Sequence, residues 1–401
     1  MELHCAVQKY AWGKVGKSGL VAKLSLANPA VDIDDDCPYA ELWMGTHVSG
    51  PSKLANTGET LQSYLKDNES SLGQRELQEF GTDLSFLFKA LSAAKALSIQ
   101  AHPNKEHAEQ LFLARPDLYK DPNHKPEMVT AWMSPFEALC GFRPIEEIRY
   151  FIQNIKELED IIGKDACEEL MHAETKTEKQ ALEKCFSSLM NCPDEDVASS
   201  LKQYGQHMLS FDEEQKKNML CDLFARIYRD FVGDVGCWCI YFLNYVILQP
   251  GESLFLGPNV PHAYIYGDCL ECMACSDNVL RAGLTPKFKD IETLCSMLDY
   301  EASNVDRFRI LWQRIDEFCE ECIPPVPDFA MARIALPSGN SYKVPKRSNA
   351  SILVILQGQA HLEDSGEFSF GQILFAKANQ QLVLQSRGPS DVIIYQAFSN
   401  V

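Results

Sequence analysis

Gln100 and His102 stand two residues apart in Ser98-Ile-Gln-Ala-His-Pro103, a spacing that puts both side chains on one face of a β-strand. A second imidazole, His262, lies far downstream in Pro258-Asn-Val-Pro-His-Ala-Tyr264. Glu127, in His124-Lys-Pro-Glu-Met128, offers a carboxylate. Two imidazoles with oxygen donors suit a borderline divalent ion such as zinc and leave room for a water or a substrate oxygen. Singly, each of these residues reads as an ordinary polar side chain in a loop. Together, with Lys125, Arg281 and Lys287 in or near the same segments, they predict a site.

The same segments carry a family resemblance. The strings YAWG (Tyr10 to Gly13), YAELWMGTH (Tyr39 to His47), SIQAHPN (Ser98 to Asn104), HKPEM (His124 to Met128), PHAY (Pro261 to Tyr264) and SDNVLRAGLTPK (Ser276 to Lys287) resemble the type I mannose-6-phosphate isomerase family, in order and up to about residue 300. The resemblance implies a zinc-dependent aldose–ketose isomerase that moves a proton between C1 and C2 of mannose 6-phosphate and fructose 6-phosphate through a cis-enediol. It also implies a supply of sugar phosphate to GDP-mannose synthesis and protein glycosylation. A generic cupin supplies an H-x-H pair; here Gln100-x-His102 stands in its place. That departure fits the family's Gln-His-Glu-His set, which carries over to Gln100, His102, Glu127 and His262.

The resemblance also distributes roles. Arg281 resembles the family's catalytic arginine; a guanidinium does not deprotonate at working pH, so its work is charge stabilisation or gating. Lys125 precedes a proline and is therefore biased toward extended backbone, sharing a face with Glu127. Near a cation its pKa could fall, which makes it a candidate base, against the plainer reading that it balances Glu127 and the phosphate. Glu41 and a zinc-bound hydroxide are rival bases. Ser98 and Lys287, with Lys89 third, are the expected phosphate contacts. Tyr264 should face the cleft and Trp12 wall it, while Trp43 and Met44 read as structural.

Composition bounds the alternatives. The net charge of −19 argues against nucleic acid or an anionic membrane as partner. A sugar phosphate, with about −1.5 to −2 charges, then needs a local positive pocket, which Lys125, Arg281, Lys287 and a divalent cation would supply. An iron-dependent cupin dioxygenase would use two His and one carboxylate, and Gln100 as a fourth ligand argues against it. A non-catalytic sugar-binding cupin would not need the cations. Fifteen cysteines at irregular spacing, with no basic and apolar leader at the N-terminus, read as reduced thiols of a cytoplasmic protein, expected to be a monomer. Cys269, Cys272 and Cys275, and Cys319 with Cys322, suggest a cluster, but neither ferredoxin nor zinc-ribbon spacing is met. They read as small buried residues on strands.

The elements that must position these residues are mostly short strands punctuated by Gly and Pro. Tyr241 to Leu248 and Leu254 to Leu256 read as strands of a jelly roll. Phe86 to Phe88 and Leu97 to Ile99 look like strand pieces around a turn at Ser92 to Lys95. Ile148, Phe151, Ile152, Ile155 and Leu158 recur at helical spacing, as do Leu220, Leu223, Phe224, Ile227 and Phe231. Beyond residue 300, Ser351 to Leu356, Gly371 to Phe375 and Gln381 to Leu384 return to strand character, with His361 as a lone imidazole. The fold expected is mainly β with a helical insertion: two cupin-like jelly rolls plus an α-helical domain. The divisions are a catalytic cupin in two parts (1–145 and 232–300), a helical insertion (146–231) and a C-terminal jelly roll without metal (301–401).

Overall fold

Alternation along a few strands decides what faces the site and what faces the core. The computed structural model describes residues 1–363 and 366–401. The strands needed below are, in chain order, β1 (Glu2–His4), β2 (Glu41–Met44), β3 (Phe86–Ala93), β4 (Ile99–Ala101), β5 (Glu127–Ala131) and β6 (Phe136–Phe142), then β7 (Leu243–Leu248), β8 (Ser253–Leu256), β9 (His262–Ala274) and β10 (Leu280–Gly283). Eight α-helices lie between β6 and β7; the last two are α1 (Cys221–Asp230) and α2 (Gly236–Cys239).

The long strand β9 is the spine of the first jelly roll. Its first residues pair with β4 and β6, and its remainder lies between β3 and β5. The register against β6 slips where Glu137 faces Tyr266 but Ala138 faces Tyr264, so β9 carries one extra residue there. Such a bulge inverts the in/out parity of everything that follows. Gly267, next in line, takes φ +118°, and a Cβ there would come within 2.8 Å of the Pro135 carbonyl oxygen. His262 and Tyr264 therefore share a face with Glu271 and Met273, although their spacing on a regular strand would oppose them.

The back of this face is filled by the helical insertion. Ile99, Ala101, Ala263, Ile265, Leu280 and Ala282 join Ile148, Phe151, Ile152, Ile155, Leu158, Leu223, Phe224 and Ile227 in one buried cluster. The predicted helical spacing thus bears on the site strands directly. Leu220 caps α1 in a left-handed conformation (φ 52°), and Phe231 follows the helix rather than belonging to it.

Four C-terminal strands, β11 (Ala330–Leu336), β12 (Ser351–Gln357), β13 (Ile373–Ala376) and β14 (Val392–Phe398), build the second jelly roll, in an eight-stranded sheet facing a four-stranded one. The N-terminal β1 joins this sheet, with Glu2 opposite Leu374 and Leu3 opposite Ile373. The two jelly rolls pack sheet against sheet, placing Met44, Phe86 and Phe88 among Ile352, Phe375 and Tyr395. The fold class expected from sequence is the one observed.

Three local expectations fail: Tyr241 and Phe242 form a turn ahead of β7, Leu97 and Ser98 precede β4 rather than belonging to it, and the turn placed at Ser92 is strand. Ser92 and Ala93 are not a turn: they continue β3, paired with Asp268 and Gly267 of β9, and the chain runs on in the same direction to β4, which pairs with β9 at His262. The small residues there serve close strand contact, not reversal.

Candidate metal centre and active site

His102, Glu127 and His262 converge from three elements and are all buried. His262 opens β9 and is paired in register with Gln100 of β4, while His102 follows β4 and Glu127 opens β5. His102 Nδ1 donates to the carbonyl of Asn278 at 2.7 Å, and His262 Nδ1 donates to that of Val260 at 2.8 Å. A carbonyl only accepts, so both Nδ1 atoms carry a proton, and in a neutral imidazole that leaves the Nε2 lone pair free. Those lone pairs point at a carboxylate: His102 Nε2 lies 3.4 Å from Glu127 Oε1, and His262 Nε2 lies 3.2 Å from Glu127 Oε2. None of His102 Nε2, His262 Nε2 and Glu127 Oε2 has a hydrogen-bond partner, although each is buried. Three electron-rich atoms facing one another in a dry pocket repel unless a cation lies among them. The donor set fits a divalent ion, with Gln100 at the cleft edge as a neutral oxygen donor.

The protonation states agree with that fit. Burial pushes His102 down to about 4, against the pull of Glu127, so the imidazole stays neutral, the form a metal ion requires. Burial opposes ionisation of Glu127 too, but the Lys125 ammonium favours it, and the carboxyl lies well below its usual range. Lys125 Nζ is 3.3 Å from Glu127 Oε1. Asn278 is itself fastened, its amide donating to the carbonyls of Asp121 and Asn123, which fixes the carbonyl that orients His102.

Above these three buried side chains opens a cleft of about 570 Å³. Trp12, Glu41, Lys89, Ser98, Gln100, Lys125, Glu127, Tyr264, Arg281 and Lys287 all line it, and His102 and His262 are buried beside Glu127, so the residues expected to bind metal or substrate gather at one place. Arg281 is half-buried, and burial displaces its pKa downward; among the described residues no carboxylate pairs with it. Lys287 is exposed at the rim.

The structure adds two residues that sequence reasoning passed over. Glu271 of β9 accepts from Tyr264 Oη at 2.7 Å and pairs with Lys89 Nζ at 3.0 Å. Burial raises its pKa, with Glu127 and Glu41 adding to the effect and Lys89 opposing it. A lone carboxylate inside Leu270-Glu-Cys-Met273 was the available signal, since an ionisable group in an apolar strand demands a partner. Trp43 is the other. It was read as structural, yet its ring lines the cleft under Lys89 Nζ at 5.4 Å and its indole N–H donates to Glu41. Met44, on the opposite parity, is core as expected.

The cysteine motifs do not converge. Three residues apart on a strand, Cys269 and Cys272 face opposite sides and enter different cores, as do Cys319 and Cys322. Among the described residues the His–Glu–His group is where such donors meet.

Two family models match this chain: the type I phosphomannose isomerase catalytic domain over residues 1–145 and the helical insertion domain of the same family over 159–243. Relatives named mannose-6-phosphate isomerase extend the match to nearly the whole chain. The Rattus norvegicus protein is 43% identical, covering 98% of this chain and 97% of its own length. The chain belongs to the type I phosphomannose isomerase family. The Homo sapiens mannose-6-phosphate isomerase is 42% identical over 98% of this chain and 97% of its own, and an Arabidopsis thaliana one 41% over 99% and 93%. The apo form of mannose 6-phosphate isomerase from Salmonella typhimurium superposes with a TM-score of 0.85 at 30% identity, covering 100% of this chain and 99% of its own. A zinc-bound mannose 6-phosphate isomerase superposes at 0.84, with the same identity and coverage. The resemblance carried by six strings is thus borne out, and it extends past residue 300 into the C-terminal jelly roll.

Proposed function

We propose that this chain interconverts mannose 6-phosphate and fructose 6-phosphate, with zinc as its metal. The observation that carries the reading is the juxtaposition of three buried, partnerless lone-pair atoms with an unneutralised Arg281, across one cleft, in a protein of charge −19. Gln100, His102, Glu127 and His262 would hold the ion, which when bound supplies Lewis-acid polarisation of a substrate oxygen. Lys287 and Ser98 anchor the phosphate at the rim. Arg281 stabilises negative charge as it grows on the oxygen next to the reacting carbons. Tyr264 and Trp12 shape the walls.

The proton that moves between C2 and C1 needs a carrier, and we assign it to Lys125 Nζ, beside Glu127. Glu271 is a second reading, favoured by its raised pKa and its place in the cleft. The same account divides the chain as 1–145 with 232–300 for the chemistry, 146–231 as helical support and 301–401 as a jelly roll without metal. Fifteen unpaired cysteines support a reducing, cytoplasmic setting, in which the product feeds GDP-mannose synthesis. The test is turnover of mannose against mannose 6-phosphate in a coupled assay. The phosphorylated sugar should win in both kcat and KM, because remote binding energy holds the reacting carbons in place. Equal turnover of the two sugars overturns the phosphosugar reading.

A further inference from the structure

Asp234 lies between α1 and α2, where the helical insertion returns to the site strands. Its carboxylate collects three backbone N–H groups. Oδ1 accepts from Gly236 at 2.7 Å and from Leu284 at 2.7 Å, and Oδ2 accepts from Thr285 at 3.1 Å. Two of these donors belong to the segment after β10, which carries Lys287. The segment is held in a demanding shape. Leu284 has φ +54°, a left-handed conformation that a leucine rarely adopts. Gly283 presses on Gly236 so closely that a Cβ on Gly283 would come within 2.6 Å of the Gly236 backbone. Thr285 continues the chain of contacts, its hydroxyl accepting from Lys287 N at 3.1 Å. Phe231, three residues before Asp234, lines the same cleft.

We propose that Asp234 is a positioning residue: it clamps the Leu284–Lys287 loop to the end of the helical insertion, in the shape that presents Lys287 to the substrate phosphate. The inference rests on the reading above that Lys287 binds phosphate. It gives the segment that leads from the helical insertion back into the site strands a part in substrate binding. A carboxylate suits the task because it accepts from several N–H groups at once and has no proton to offer them. Asparagine in its place keeps one acceptor oxygen but turns an NH2 toward backbone donors, so at least one bond is lost while the volume is unchanged.

The experiment is a double-mutant cycle on the zinc-loaded protein with D234N, K287A and the double variant. It reads kcat and KM for mannose 6-phosphate and the competitive inhibition constant of inorganic phosphate, with melting temperature alongside. We expect D234N to raise KM and the phosphate inhibition constant about tenfold, the worth of one hydrogen bond to a charged group, while kcat changes much less. In the K287A background D234N should add little, since the two residues act through one contact. A D234N protein with a lowered melting temperature and an unchanged phosphate inhibition constant would overturn the proposal, because its role would then be structural only. Additive effects in the double variant would overturn it too. If K287A itself leaves phosphate inhibition untouched, the phosphate reading of Lys287 falls first. G283A approaches the same loop from the other side and should reproduce the D234N pattern; phosphate inhibition unchanged in a folded G283A protein would contradict the clamp.

Discussion

Lys89 and Glu271 are cross-strand partners on β3 and β9, and their charged ends meet at 3.0 Å inside the cleft. Glu41 approaches the same ammonium at 3.6 Å. Burial alone would lower the lysine's pKa, but Glu271 and Glu41 together hold it well above its ordinary value. The pair is buried, so removing one member strands the other. Glu271→Ala should destabilise the protein by about 3–5 kcal/mol, read by chemical denaturation. The double replacement Lys89→Met with Glu271→Leu should recover much of that loss while leaving the enzyme inactive. A single Glu271→Ala variant as stable as the parent would show that the ammonium finds another partner.

Arg281 is a half-buried cation with no counterion among the described residues, which is poor design for stability and good design for meeting negative charge that appears during reaction. Arg281→Ala should lower kcat by about 10²–10³-fold, the range for losing one transition-state donor, and change KM far less. Steady-state kinetics separate the outcomes: a large rise in KM at constant kcat would make it a ground-state phosphate anchor.

Glu76 offers a test of the packing between the two jelly rolls. It is buried, with Oε1 3.4 Å from both the amide and the hydroxyl of Ser85, and Oε2 has no partner. Ser85 in turn donates to the Asp328 carbonyl ahead of the C-terminal sheet. Burial raises the Glu76 carboxyl to about 7 from 4.5. A raised folded pKa means that the native state holds a proton which the unfolded chain has released. Its contribution is complete below pH 4.5 and is lost as pH rises to 7. Glu76→Gln should therefore match the parent near pH 4.5 and exceed it at pH 8 by on the order of 3 kcal/mol. Denaturation at the two pH values checks the sign; equal stability at pH 8 would contradict it.

Residues whose neighbours lie on the same strand or one turn away were legible before the fold was known. Gln100 and His102 share a face because strands have period two, and the insertion helices announced themselves through Ile148, Phe151, Ile152 and Ile155. Relationships created by a break in regularity were not. Glu271 reaches the cleft only because the extra residue near Tyr266 inverts the parity of β9, and no period analysis anticipates a bulge. The pairing of β1 with β13 joins residues some 370 apart, with no local signature in Glu2–His4. Asp234 was hidden for another reason: its partners are backbone amides, and any residue type supplies those.

The most direct test of the account is a titration of metal-stripped protein with Zn²⁺ while isomerisation of mannose 6-phosphate is followed. If Gln100, His102, Glu127 and His262 form the one site that matters, activity starts near zero, rises in proportion to added zinc and breaks at one equivalent per chain. His262→Ala should stay inactive and retain no stoichiometric zinc, while Cys272→Ser should titrate like the parent. Full activity in the stripped protein, or a stoichiometric metal retained by the folded His262→Ala variant, would contradict the assignment.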